Sequence, residues 1–405
     1  MKHWFRLLIK TAFICVLVSQ VRFIYNGIDE NLIQWFDIDN DIRQVVTRNG
    51  YHFENHTVVT EDGYILQIHR LNAQNFQANA STPVVFFMHG SFQSSMGWLM
   101  AGVQHSLPFR LADSGYDVWM GNARGNRYSR CHLKLDPDRQ PKEFFDFSWH
   151  EMGYYDMPAS VDHIRLATGV GRIHVVTHSQ GSAAAYVMLS ERPEYNQKIR
   201  SSVALAPGVY ITYGFQPTAG YLGLAPKFFE WLLDTFKLYE LFPYSHLVSM
   251  TAQTICHDDS FFQPVCSFVL GITCGFNYED LNTTLLPTVF TYGPCGASWK
   301  QIMHYAQVKN TDRFQKYDEG VTKNMEKYGQ EQPLEYNLTN VQIPTALFYS
   351  DNDWAIDERD FIKLYNTLPN VDYLHKEIGY AHMDFLIAKS NIRILDKIEK
   401  YLSTH

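Results

Sequence analysis

The chain has 405 residues, and its 46% hydrophobic and 15% aromatic content can fill a large core, so one sizeable domain with an insertion, or two domains, is expected. Lys and Arg number 34 against 42 Asp and Glu, and the resulting net charge of -8 argues against a nucleic-acid partner, which selects a basic face. A neutral or water-insoluble small substrate fits this balance better.

At the start, Lys2, Arg6 and Lys10 precede an uncharged, largely apolar run over 11–21. That run is shorter than the roughly 20 residues that span a bilayer, so 1–21 reads as a secretory signal peptide whose removal leaves no transmembrane span in the mature chain. No A-x-A-like cleavage site stands out, and an uncleaved anchor is the alternative. Asn55, Asn79, Asn282 and Asn337 each head an N-x-[ST] triplet, the acceptor pattern for N-glycosylation in a secreted chain. Cys15 lies in the leader, leaving Cys131, Cys256, Cys266, Cys274 and Cys295, an odd set with at least one free thiol. With no C-x-x-C pair and no H-E-x-x-H, neither a metal nor a cofactor is expected.

Apolar runs over 84–88, 116–120, 173–177 and 345–349 each end in turn residues and are short enough for strands covered on both faces. Between them, 157–168 has helical spacing at Val161 and Ile164, with Asp156 as its expected cap and Gly169 as its stop. This alternation predicts an α/β fold, a mostly parallel sheet flanked by helices. It breaks after Ala206-Pro207-Gly208, where aromatic amphipathic helices such as 225–236 begin. Most of these aromatics are expected to pack as core, with a minority free to line a ligand tunnel.

Ile173 to Ala185 reads as strand, turn and helix around Thr177-His178-Ser179-Gln180-Gly181. Such an elbow exposes a serine hydroxyl above a sheet, although Thr177 stands where G-x-S-x-G has glycine. A serine needs a base to take its proton and an acid to orient that base, and in this arrangement they follow in the order acid, then histidine. Asp353 and His382 occupy those places, with Asp351 and Asp357 on the same loop as alternatives for the acid. The oxyanion needs two N–H donors. Gln180 follows the nucleophile, and Ser91, after His89-Gly90, is the expected second donor. His89 is expected to shape its loop and to take no proton.

Three longer segments carry a family resemblance: Val58-Val59-Thr60-Glu61-Asp62-Gly63-Tyr64, Gly121-Asn122-Ala123-Arg124-Gly125-Asn126, and Phe147 to Ala159 with its F-S-x-x-E-M-x-x-Y-D-x-P-A pattern. In these the chain resembles the acid lipases, including gastric and lysosomal acid lipases and their insect relatives, from about residue 40 to near the C-terminus. The resemblance implies an α/β-hydrolase core over 40–207 and 334–405, with an inserted mainly helical cap or lid over 208–333 covering an acyl tunnel. It implies hydrolysis of fatty-acyl esters, such as acylglycerols or sterol esters, at a lipid–water interface, in a secreted or lysosomal protein. Carried over residue by residue, Ser179, Asp353 and His382 take the triad positions, and Ser91 and Gln180 supply the oxyanion hole. Cys256 and Cys266 match the family's cap disulfide and Cys274 its nearby free cysteine, whereas Cys131 and Cys295 have no counterpart.

Two departures qualify this picture. Thr177 adds bulk where strand and helix approach closely, which keeps a catalytically weak or silent lipid-binding protein as an alternative, beside a carboxylesterase for soluble esters. Ser350-Asp351 replaces paired glycines before Asp353, and a carboxylate there is expected to raise the imidazolium pKa if it faces the triad.

Overall fold

A computed structural model of the chain describes residues 38–79, 81–214 and 226–405. The leader 1–21, Ala80 and residues 215–225 of the expected cap lie outside the described residues. The strands are β1 (Tyr51–Val59), β2 (Tyr64–Ala73), β3 (Val84–Met88), β4 (Asp117–Met120), β5 (Cys131–His132), β6 (Ile173–His178), β7 (Ile199–Leu205), β8 (Glu240–Leu241), β9 (Ala297–Ser298), β10 (Thr345–Ser350) and β11 (Val371–Glu377). Nine of them form one sheet in the order β1-β2-β4-β3-β6-β7-β10-β11, with β5 on β2. Pairing is parallel from β4 to β11 and antiparallel at the β1–β2–β4 edge. Each of the four strands read from sequence is present.

The continuous apolar runs exist because both faces of the sheet are covered. Along β3, Val84, Phe86 and Met88 enter one hydrophobic cluster while Val85 and Phe87 enter the other. Burying each such phenylalanine stabilises the fold by about 1.5–3 kcal/mol. On the first face lie α3 (Met157–Thr168) and α4 (Gln180–Glu191), and on the second α1 (Ile38–Arg48) and α2 (Leu107–Asp113). Gly169 ends α3 in the left-handed conformation, as expected from a glycine stop.

Asp156 does not cap α3. The helical path already runs through it from Trp149, so its backbone is αR and its carboxylate turns to Arg124, which donates from its backbone N–H at 3.0 Å and from Nε at 2.8 Å. Arg124 also reaches Asp62. The three family-like segments therefore meet in one ion cluster, in which Arg124 and Asp156 are buried and Asp62 is half-buried. Removing one member of such a cluster strands charge in a dry site.

The inserted helices follow β7: α5 (Pro226–Thr235), α6 (His246–Ile255), α7 (Gln263–Cys274), α8 (Leu286–Tyr292), α9 (Trp299–Thr311) and α10 (Val321–Tyr328). Their point of departure is clamped. Asp360, on α11 (Glu358–Thr367), accepts the N–H groups of Thr212, Tyr213 and Gly214 at 3.0, 2.9 and 3.1 Å, and Lys309 of α9 donates to the carbonyls of Thr212 and Gly214 at 2.9 and 2.8 Å. The chain ends in α12 (Ile392–Thr404) against the second face. Of the aromatics over 208–333, Tyr210, Phe229, Tyr239, Tyr305, Phe314 and Tyr317 are buried and Phe290, Tyr292 and Trp299 pack against the core as expected, whereas Phe228, Trp231, Phe236, Phe242, Phe261, Phe262, Phe268 and Tyr278 are exposed. Helical periodicity reports that a segment has an apolar face, not what covers that face.

Candidate active site

Parallel pairing of β6 with β3 and β7 brings three loops to one edge of the sheet. Ser179 sits there between β6 and α4 at φ 53 and ψ -118, a conformation costly for a non-glycine residue. It is held from both sides. Its N–H donates to Leu205 O and its carbonyl accepts from Gly208 N–H, both at 3.0 Å. Gly181 must lack a side chain, because a Cβ there would lie 2.5 Å from the Met88 carbonyl and 2.7 Å from that of His89. Thr177 is accommodated: its fully buried hydroxyl pairs with Ser182 of α4 at 2.8 Å and contacts Val203 O at 3.4 Å.

His382 Nε2 lies 2.8 Å from Ser179 Oγ, and its Nδ1 lies 2.7 Å from Asp353 Oδ2. With Nδ1–H donating to the carboxylate, Nε2 is left to accept the serine proton. The other Asp353 oxygen accepts the N–H groups of Ala355 and Ile356 at 2.8 and 2.9 Å, which fixes the carboxylate's direction. The rival acids are engaged elsewhere. Asp357 caps α11 through Arg359 N–H, and Asp351 accepts Gly379 N–H at 2.8 Å with Lys376 at 3.6 Å. Asp351 thus faces the backbone of the histidine loop and an ammonium, not the imidazole, so the expected electrostatic effect on the triad loses its geometric basis. Ser350 donates to the Tyr380 carbonyl, so both residues that replace the paired glycines stitch the acid loop to the histidine loop.

Three supports of His382 carry no motif of their own. Its N–H donates to the Cys274 carbonyl at the end of α7 at 2.8 Å, and its carbonyl accepts from His178 Nε2 at 3.0 Å. Burial, aided by the neighbouring His382, pushes the His178 pKa down to about 3, so this ring stays a neutral donor. Asp384 accepts Ala381 N–H and the Asn277 amide, both at 2.7 Å, and burial raises its pKa to about 6. Only the position of His178 inside the elbow pentapeptide hinted at such a role.

Ser91 and Gln180 are adjacent, with Ser91 Oγ donating to Gln180 Oε1 at 2.8 Å and Gln180 Nε2 donating to Gln301 of α9 at 3.1 Å. Gln180 opens α4, so its N–H has no acceptor within that helix. His89 shapes the loop: Nδ1–H donates to Gly90 O at 2.8 Å and Nε2 accepts Ala123 N–H at 3.1 Å. Burial lowers its pKa to about 4, which keeps it neutral.

Cys256 and Cys266 are bonded, with sulfurs 2.02 Å apart, while Cys131, Cys274 and Cys295 are free thiols. Burial pushes the Cys274 thiol up to about 12, so it is a poor nucleophile despite its proximity to the triad. Asn79 and Asn337 are exposed, Asn282 is half-buried, and Asn55 lies within β1 with its amide oxygen buried. Among the described residues no cluster of three His, Cys, Asp or Glu side chains could hold a metal, and no helix is long and apolar enough to cross a membrane.

A serine on a strand-to-helix elbow, joined to a histidine and a buried aspartate at the edge of a parallel sheet, defines the α/β-hydrolase class. The family model for the alpha/beta hydrolase fold matches residues 83–388, and that for a partial alpha/beta-hydrolase lipase region matches 42–102. Lipase 1 of Drosophila melanogaster is 38% identical over 86% of this chain and 76% of its own length. Human gastric triacylglycerol lipase is 35% identical over 87% of this chain and 88% of its own. A solved structure of a candidate lipase from Sulfolobus solfataricus, 15% identical, superposes with a TM-score of 0.60 over 88% of this chain and 95% of that one, and supports the fold. The chain belongs to the acid lipase family of α/β-hydrolases.

Proposed function

We propose that this protein is a secreted or lysosomal serine ester hydrolase that cleaves fatty-acyl esters, such as acylglycerols or sterol esters, at a lipid–water interface. The relay from Ser179 through His382 to Asp353, at 2.8 and 2.7 Å, carries this reading. His382 takes the proton of Ser179 as Oγ attacks the acyl carbon, and Asp353 stabilises the imidazolium. The N–H groups of Ser91 and Gln180 receive the oxyanion, and the imidazolium then protonates the leaving alcohol. Water activated by the same His382 releases the fatty acid from the acyl-enzyme. The relatives named as lipases support the substrate class.

The silent-carrier alternative rested on Thr177, and that residue's satisfied hydroxyl and the intact relay both favour an enzyme. A serine-reactive phosphonate should label wild type and leave Ser179→Ala unlabelled. Turnover of triglyceride, cholesteryl ester and a short soluble ester at acidic and neutral pH then ranks the substrates. Absence of label and of turnover on all three would overturn the reading.

A further inference from the structure

In the oxyanion hole proposed above, one N–H donor sits on the loop after β3 and the other on the elbow, so its width depends on how two separate segments are held. On the loop side Phe92 has φ 59, a left-handed conformation that a non-glycine residue keeps only when its surroundings enforce it. Its carbonyl accepts the Cys295 N–H at 2.9 Å, and Gly90 N–H donates to Gln93 Oε1 at 3.0 Å. The loop also packs closely on the nucleophile, since a Cβ on Gly90 would lie 3.0 Å from Ser179 Cβ. These contacts hold the loop at Gly90 and at Phe92. Ser91, which carries the donor, lies between them, and its own side chain is the tie to the elbow.

Gln180 is buried, and its carboxamide is engaged at both ends. Oε1 accepts the Ser91 hydroxyl at 2.8 Å, while Nε2 donates to Gln301 Oε1 at 3.1 Å and meets Met152 Sδ at 3.4 Å. A thioether sulfur accepts and cannot donate, so Met152 fixes which end of the carboxamide is the NH2 and leaves Oε1 facing Ser91. Gln301 is 1% exposed and stands on α9 one turn before Tyr305, whose hydroxyl donates to Gly208 O at 3.1 Å. Gly208 in turn donates its N–H to the Ser179 carbonyl. The far end of the polar chain is therefore anchored to the backbone of the nucleophile.

We propose that the Ser91 side chain is a positioning residue for acyl transfer: its hydroxyl, held by the Gln180 carboxamide and through it by Gln301, fixes the separation of the Ser91 and Gln180 N–H donors before the ester arrives. The proposal rests on the ester-hydrolase reading and adds side-chain roles to it. The hydroxyl proton is committed to Gln180 Oε1, so the Ser91 side chain acts through its neighbour and is not a third donor to the oxyanion. Preorganised donors favour the transition state over the bound ester, so loss of the tie falls on kcat and spares KM.

The test uses full-chain variants in steady-state assays on a short soluble ester. Ser91→Ala should lower kcat about tenfold with KM within about twofold of wild type, and Ser91→Thr, which keeps the hydroxyl, should recover most of that loss. Gln180→Leu retains its backbone N–H and should lose about as much as Ser91→Ala. The double variant Ser91→Ala/Gln180→Leu should be no slower than the worse single variant, because both substitutions break one tie. Losses that multiply in the double variant would overturn the proposal and make the Ser91 hydroxyl an independent donor. An undiminished kcat for Ser91→Ala, a loss confined to KM, or a loss that Ser91→Thr does not recover would overturn it too. Failure of the hydrolase reading looks different: wild type itself would then turn over no ester, and a phosphonate would not label Ser179.

Discussion

In the sheet Phe86 and Phe87 are wholly buried on opposite faces of one strand, whereas in the inserted helices Phe261, Phe262 and Phe268 stand in solvent. The first region uses aromatics to hold the elbow and its partners rigid. The inserted segment has one small cluster of its own, Phe229, Leu232, Met303 and Tyr317, and otherwise leans on the sheet's two cores. Among the described residues, then, the same side chains build a scaffold in one place and a surface in the other. The difference separates the aromatics that hold the chemistry in place from those that do not.

The sharpest challenge to this division is His382→Ala, which should lower kcat on every ester by about 10⁴-fold or more, soluble substrates included, in steady-state assays. A loss confined to lipid turnover would show that the relay does not serve every ester. Next is Arg124→Ala, in the scaffold and away from the reacting atoms. Leaving Asp62 and Asp156 without their guanidinium should cost about 3–5 kcal/mol in denaturant unfolding. A loss below about 1 kcal/mol would show that the ion cluster does not hold the scaffold together.

A pH series probes the scaffold without mutation. Burial lowers the pKa of His69 and His178 to about 3 and of His89 and His174 to about 4, and His304 behaves as His69 does, also near 3. Unfolded, each of these binds a proton near the ordinary value of about 6.5, so below that pH the unfolded chain gains protons that the folded chain refuses. Stability should therefore be full above about pH 6.5 and fall as the pH drops below it. Asp384 and Asp156 act oppositely, since burial raises the pKa of each to about 6 and so favours the fold as pH falls. Chemical unfolding midpoints that rise between pH 6.5 and 4 would contradict the balance. The mildest test is Thr177→Val, which keeps the shape but strands the Ser182 hydroxyl and should cost about 1–2 kcal/mol with the serine still labelled by a phosphonate.

Much of the scaffold was legible in the chain itself. Strands over 84–88 and 173–177 could be read because two-sided burial demands uninterrupted apolar residues, and the elbow could be read because one pentapeptide encodes its strained turn. Asp156 was misread as a cap, because a capping role and an arginine-pairing role call for the same residue at the same place in sequence. Amphipathic spacing does not say which cap aromatics meet the core, as Phe229 does, and which face solvent, as Trp231 does.

What the sequence determined by itself is local: the order of strands and helices, the serine elbow, and the succession of serine, acid and histidine along the chain. Tertiary structure decided the rest. Asp351, Asp353 and Asp357 share one loop, and their tertiary partners sort them: Asp353 meets the imidazole with its other oxygen held by Ala355 and Ile356, while Asp351 pairs with Gly379 and Asp357 caps α11. Cys131 and Cys295 stay unbonded, and the Thr177 hydroxyl reaches the Val203 carbonyl of the neighbouring strand, because contacts between segments far apart in sequence are chosen by packing, which no local pattern records.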